Sequence, residues 1–406
     1  MKDYLKRQGY VVLMGLLLLL AAVLVVAFCL PWGGEIGEES DPGSENVSLS
    51  QSSTEPEQPP FEPITVRLRA AGDNLIHSSI YNHARQRAGG NGYDFSYAYE
   101  NIAGLIKECD VAVINQETVI APIYEPSDYP LFNSPVELQQ EMLNLGFTVF
   151  NQANNHVLDK GETGLLSALK QWKTHPEALV TGVYENEADY ENIRVKEIQG
   201  LKFAFIGMTE MTNGLTLPEG SEVVVLHTGE EEKIKARIEK ARSLADVVVI
   251  NTHWGQEYTH TPNDGQTSLA QKMADWGADL IVGHHPHVLQ PIQWLDASDG
   301  RRVLCAYSLG NFISAQDKGA RMIGGILDVT FTKETVESRP AITSAGLIPV
   351  ITQYEGGFRN VRLYPWSDYT PELASKHGVR RYDAGFGYDF IQNTLDSVIG
   401  EEFLAA

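Results

Sequence analysis

Short apolar runs rich in Val and Ile alternate along the chain with segments whose apolar residues recur at helical spacing. The first kind predicts strands over residues 65–73, 109–117, 147–155, 202–208, 246–255, 279–287 and 302–312. The second predicts helices over 96–108, 135–146, 162–175, 229–245 and 268–277, with Gly146 and Gly277 placed to end two of them. A further β-rich stretch covers 324–352. Strands alternating with helices indicate an α/β fold built on mixed or largely parallel sheets.

One stretch breaks the alternation. Residues 11–30 are apolar throughout and carry no charge, and about 20 such residues span a bilayer as a helix. Lys2, Lys6 and Arg7 precede them and acidic residues follow, which orients the N-terminus towards the cytoplasm. The reading is a cytoplasmic tail (1–10), a single-pass signal anchor (11–31) in the cell membrane and an extracellular C-terminal portion, with a cleaved signal peptide as the alternative. Residues 32–62, rich in Ser, Pro, Gly and Glu, bury too little apolar surface to fold and read as a disordered acidic linker. The folded domain is expected over 63–354, with 355–406 as its C-terminal extension.

The formal net charge is −22 over 406 residues. The tail contributes +2 and the linker −8, leaving −16 for the chain from residue 63. Such a balance argues against nucleic acid as a partner. An anionic substrate would need local positive charge, which a metal ion supplies. The three cysteines make no disulfide framework; Cys29 lies in the apolar segment, and Cys109 and Cys305 read as small core residues.

The polar residues are placed unevenly. Gly72-Asp73-Asn74 follows the first strand, Asn115-Gln116-Glu117 the second, and Asn154-Asn155-His156 the third. His253-Trp254-Gly255-Gln256-Glu257, His284-His285-Pro286-His287 and Gly310-Asn311 follow later ones. Ligands of α/β sheets bind at the carboxyl ends of strands. Six strands would thus bring carboxylate, amide and imidazole to one edge, the donor set of a two-metal hydrolase site. Taken singly, each cluster has a plainer reading as a cap or a turn. The histidines at 77, 83, 175, 227, 260 and 377 are expected on surfaces or in loops.

The ordered set "GDN", "NQET", "QANNHVLDKGETGL", "THWGQEY", "DLIVGHHPHVLQP" and "YSLGNFI" resembles the CapA family of capsule synthesis proteins. The family is typified by the poly-γ-glutamate biosynthesis and export subunit of Gram-positive bacteria, and the likeness covers about residues 64–315. It implies a fold related to calcineurin-like metallophosphatases, a β-sandwich of two mixed sheets flanked by helices. It implies divalent metal ions (Mn, Fe, Zn or Mg) held by Asp73, Glu117, Asn155, His253, His285 and His287, with His156 as the acid and Glu257 and Asn311 as supporting groups. It leaves open which of His284, His285 and His287 bind. Position 75 is a leucine where the phosphatase pattern has histidine, which leaves one metal a ligand short.

Two functions follow. One is a membrane-anchored capsule or poly-γ-glutamate assembly or export protein, working with membrane-embedded synthase subunits on an anionic surface polymer. The other is an extracellular metal-dependent hydrolase of phosphoester or amide bonds. A binding module that keeps the fold without chemistry is a third.

Overall fold

The computed structural model describes residues 61–404. The apolar segment expected to anchor the chain and nearly all of the acidic linker lie outside the described residues. Among the described residues, no helix is long and apolar enough to cross a membrane.

The strands, in chain order, are β1 (Ile64–Asn74), β2 (Val111–Asn115), β3 (Phe147–Asn151), β4 (Leu179–Thr181), β5 (Val183–Tyr184), β6 (Arg194–Ile198), β7 (Leu201–Thr209), β8 (Val224–Val225), β9 (Val247–His253), β10 (Leu280–His284), β11 (Ile292–Asp296), β12 (Arg302–Ala306), β13 (Asn311–Ile313), β14 (Ile323–Lys333), β15 (Ala341–Glu355) and β16 (Arg359–Pro365). An eight-stranded sheet runs β16-β15-β14-β1-β2-β3-β4, with β13 beside β1, and a six-stranded sheet runs β11-β12-β10-β9-β7-β6. Both sheets are mixed. In the larger one β1 to β4 are parallel, while β14, β15 and β16 pair antiparallel. In the smaller one β7, β9, β10 and β12 are parallel, and β6 and β11 are antiparallel edges.

Side chains alternate between the two faces of a strand, and this alternation assembles the layers. On β7, β9 and β10, Phe203, Phe205, Val247, Val249, Leu280 and Val282 join the same core as Val66 and Leu68 of β1. The Phe203 ring meets Phe331 of β14 edge-on at 5.5 Å, so the sheets pack face to face. The residues in between, Ala204, Ile206, Val248, Ile250 and Ile281, face the other way. They pack on Ile234, Ile238 and Ala241 of helix Glu231–Leu244 and on Ala270 and Met273 of helix Asp264–Trp276. The second of these helices starts earlier than its apolar spacing suggested. Asn263 and Gln266 form a capping box there, and Gly277 at φ +124° ends the helix.

Other boundaries also differ from expectation. The helix expected over 96–108 is two short ones, Ser96–Tyr99 and Ala103–Lys107; in the turn between them Asn101 donates to the Leu363 carbonyl at 2.8 Å. Helix Ser78–Arg87 went unrecognised because it buries only Ile80, Tyr81 and Ala84 and shows little apolar periodicity. His377, expected at a surface or in a loop, is buried between Tyr354 and Phe386, with Nε2 2.7 Å from the Thr352 carbonyl.

Parallel pairing in register brings the strand ends together. Asp73 lies opposite Asn115, Asn115 opposite Asn151, and His253 opposite His284. Strand β13 can lie against β1 because position 72 is glycine; a Cβ there would run into the Gly310 carbonyl.

Candidate metal centre

The strands stop where the polar clusters begin, so Glu117, Asn155, His156, His285 and His287 stand on loops just past β2, β3 and β10. Two chains of amides hold these loops. In one, Asn151 donates to Asn115 Oδ1 at 2.9 Å, and Asn115 donates to Asp73 Oδ1 at 2.8 Å, linking the ends of β3, β2 and β1. In the other, Asn74 donates to Gln116 Oε1 at 2.7 Å, and Asn154 donates to the Gln116 carbonyl at 3.1 Å. Buried amides that satisfy one another in this way give a rigid platform. That accounts for the run of amides after Phe150: some of them tie strands together, and the next presents itself to the site.

Asn155 Oδ1 lies 3.0 Å from His253 Nε2, and His285 Nδ1 lies 3.1 Å from the same nitrogen. Glu117 Oε1 is 3.7 Å from it. On the other side of Glu117, His287 Nε2 is 3.7 Å from Oε1, and His287 Nδ1 is 3.1 Å from Asp73 Oδ2. Asp73, Glu117 and His287 offer ligand atoms that all lie within 4.8 Å of one another, as do Glu257, His285 and His287. The six residues named as ligands from the sequence are thus brought together, with Glu117 common to both sides. Glu257, partly exposed, approaches His287 Nε2 at 3.8 Å. Asn311 Oδ1 is 3.0 Å from His287 Nδ1. His284 is buried, and its Nδ1 stands 3.7 Å from Asp73 Oδ1.

His156 sits at the edge of this cluster. Its Nδ1 is 2.8 Å from Asp159 Oδ2, which also accepts the Phe132 amide at 2.7 Å. The carboxylate holds the ring so that Nδ1 carries a proton and Nε2 is free for chemistry. Asn213 was not anticipated; its side chain receives the Asn155 amide at 3.3 Å and lies 3.5 Å from His156 Nδ1. It follows β7, a parallel neighbour of β9, so the strand-end rule that singled out the others could have found it. The part played by Asn115 depends on the pairing of β2 with β1 and β3, which no local pattern shows.

The donor set fits a cation. Glu117 is fully buried, and neither of its oxygens has a hydrogen-bond donor. A buried carboxylate in that state must either take up a proton or face a positive charge. Burial, then the charge of Asp73, pushes the Glu117 carboxyl well above its usual range. Burial opposes ionisation of Asp73 too, but the bond to His287 and the charges of His287 and His284 hold its carboxyl below the usual range. Burial lowers His253 strongly and brings His284 and His285 to about 4, so these imidazoles are neutral, as metal ligands must be. His287 is the exception: burial works against its charge, but Glu117 and Asp73 raise it to about 9. The backbone also marks the place. His285 (φ +96°) and His287 (φ +58°) occupy the left-handed region, a strain that ordinary loops avoid.

A pH dependence follows for the metal-free chain. The folded pKa of His287 is raised from 6.5 to about 9, so its contribution to stability is complete below pH 6.5 and lost as pH rises through 9. His253, His284 and His285, all lowered by burial, favour folding as pH rises towards neutrality, but well above 6.5 they are neutral in both states and add no slope. The thermal midpoint of the chelator-treated chain is therefore expected to fall between pH 6.5 and 9, and saturating metal should flatten the profile. Glu117, whose carboxyl is also raised, adds to the same fall, and a flat profile without metal would show that the Asp73–Glu117–His287 cluster does not hold its protons.

The chain is similar to several known proteins. The chain is 33% identical over 219 residues to the PGA biosynthesis protein CapA of Bacillus subtilis, covering 48% of this chain and 56% of that protein. It is 32% identical over 235 residues to the capsule biosynthesis protein CapA of Bacillus anthracis, covering 56% of each. The matches thus span little more than half the length of these relatives. A Staphylococcus aureus protein assigned as a 5′-nucleotidase superimposes at a TM-score of 0.44 with 14% identity, covering 70% of this chain and 54% of that one. The model of the bacterial capsule synthesis protein PGA_cap matches residues 67–316, from β1 through β13 and so across every strand end that supplies the site, and the chain belongs to that family.

Proposed function

We propose that this chain is a membrane-anchored, extracellular subunit of capsule or poly-γ-glutamate biosynthesis that acts in polymer assembly or export through a two-metal site. The observation that carries the metal part is Glu117, buried without a donor between Asp73 and His287 on one side and Asn155, His253 and His285 on the other. Asp73, Glu117 and His287 would hold one divalent ion. Asn155, His253 and His285 would hold a second and share Glu117. When bound, such ions polarise an oxygen of the substrate and offset negative charge. Asn115 and Asn151 keep the ligands in place, and the buried walls limit access of water.

The family supports the polymer reading, because both Bacillus relatives are named for capsule or PGA biosynthesis. The apolar segment 11–30 and the acidic linker support anchoring outside the cell. Membrane synthase subunits and the anionic polymer are the partners this implies. A second reading, a hydrolase of phosphoester or amide bonds in a surface polymer, is favoured by one feature. His156, oriented by Asp159 next to Asn155, has the arrangement of a general acid.

The test is the metal content of the full-length chain purified without chelators, together with turnover of a phosphodiester and of a γ-glutamyl peptide. Bound divalent metal without turnover is expected. Metal with turnover would move the assignment to the hydrolase, and absence of metal would remove the site.

A further inference from the structure

The chain carries a net charge of −22, yet one surface cleft has no acidic residue in its lining. It has a volume of about 330 Å³ and is lined by His83, Gln86, Arg87, Arg359 and Asn360. We infer that this cleft, between the C-terminal end of helix Ser78–Arg87 and the start of β16, is an accessory site for the carboxylates of an acidic polymer. The inference rests on the polymer reading above and extends it to a second place on the surface.

Three observations carry it. First, neither arginine is paired with a carboxylate: neither Arg87 nor Arg359 lies within ion-pair distance of one among the described residues, whereas Arg67, Arg194, Arg242, Arg301 and Arg362 all do. Glu355 is the cross-strand partner of Arg359, but the two make no ion pair. Basic residues in the last turn of a helix suit its dipole, which is a sufficient reason for Arg87 but not for Arg359 on a separate strand.

Second, the guanidinium groups are held in place. Arg87 lies over the Tyr97 ring at 3.4 Å and donates to Asn360 Oδ1 at 3.2 Å. Arg359 donates through Nε to the Gly356 carbonyl at 3.0 Å. Each keeps donors free, and a fixed guanidinium loses less freedom on meeting a carboxylate. The His83 ring accepts the Asn360 amide at Nδ1 (3.3 Å), so the neutral ring carries its proton on Nε2 and adds another donor. Burial, then the charges of Arg87 and Arg359, lowers the His83 imidazole, and the smaller opposing charge of Glu355 does not reverse this.

Third, the cleft lies at the correct end of the fold. Strand β16 starts at the end of the large sheet where β1 finishes, because β14, β15 and β16 successively reverse direction. Three inter-strand steps separate β16 from β1, about 14 Å at normal strand spacing. A chain with a carboxylate on every residue could occupy the cleft and the metal-ligand cluster together, gaining from the linkage of two weak contacts.

The experiment is a titration of the full-length, metal-loaded chain with a poly-γ-glutamate oligomer, comparing two double variants that change the charge equally. Arg87→Ala with Arg359→Ala empties the cleft. Arg302→Ala with Arg339→Ala removes two cations from a cleft at the opposite end, where Asp279 and Glu402 also line the wall. The first pair is expected to weaken binding by about tenfold or more, the second to leave it unchanged, and both to keep the wild-type metal content. Equal weakening by the two pairs would reduce the effect to overall charge and overturn the site. So would unchanged binding in the first pair, or tighter binding of inorganic polyphosphate that depends on the same arginines. Metal content is read separately, so failure of the cleft is distinguishable from failure of the metal centre.

Discussion

Glu117→Gln is expected to lower divalent metal affinity by about a hundredfold or more while making the metal-free chain more stable. The opposite signs have one cause. Glu117 is common to both proposed groups of ligands, and an amide supplies neither its charge nor its second acceptor oxygen, so both groups would lose their shared anion. In the absence of metal, the same carboxyl is buried beside Asp73 with no donor to either oxygen, and burial and that charge push it well above its usual range. Gln has nearly the same shape and is neutral without taking up a proton, and Asp73 still pairs with His287. The measurements are metal titration and thermal unfolding after chelation, on wild type and variant. A residue with a purely structural role would lose stability with or without metal. Unchanged metal affinity would remove Glu117 from the ligand list.

Asn155→Ala and His156→Ala, one residue apart, are expected to separate the two readings of function. Asn155 Oδ1 faces His253 Nε2 at 3.0 Å, so its replacement removes a proposed ligand and should lower metal content. His156 is bonded to Asp159 and is not part of the ligand groups, so its replacement should leave metal content unchanged. In cells lacking the native copy, the assembly reading expects polymer to be lost with Asn155→Ala and retained with His156→Ala. Loss of polymer in both, with metal intact in the second, would mean that proton transfer is required. A general acid contributes about 10²- to 10⁴-fold in rate, large enough to abolish polymer at the surface.

The site was more legible in the sequence than the scaffold around it. Asp73, Glu117, Asn155, His253, His285 and His287 each follow an apolar run, and a polar group directly after a buried strand is visible in one dimension. Asn213 follows β7 at the same four-residue distance as Asn155 follows β3, but it stands as a single amide and not in a run of them. Asn115 and Asn151 could be seen as strand ends, but their mutual hydrogen bond depends on β2 and β3 being parallel neighbours. Helix Ser78–Arg87 and strand β16 escaped notice because each buries only three residues. His377 was misplaced because its partners, Thr352 and the rings of Tyr354 and Phe386, come from other segments.

By itself the sequence determined the alternation of strands and helices, the chemical types available and their positions at strand ends. These follow from local rules: the two-residue period of strands, the spacing of apolar residues on helices, and the cost of leaving a polar group in a core. The tertiary structure decided which of these groups meet. Asp73 accepts the backbone amide of His285, 212 residues away, at 3.3 Å. Two sheets must pack face to face, and their parallel strands must pair in register, before that contact exists. The charge state of the cluster was decided there too. His287 is pushed up to about 9 while His284 and His285 fall to about 4, although the three share one short stretch of chain. The difference comes from Asp73 and Glu117, which the fold places beside His287.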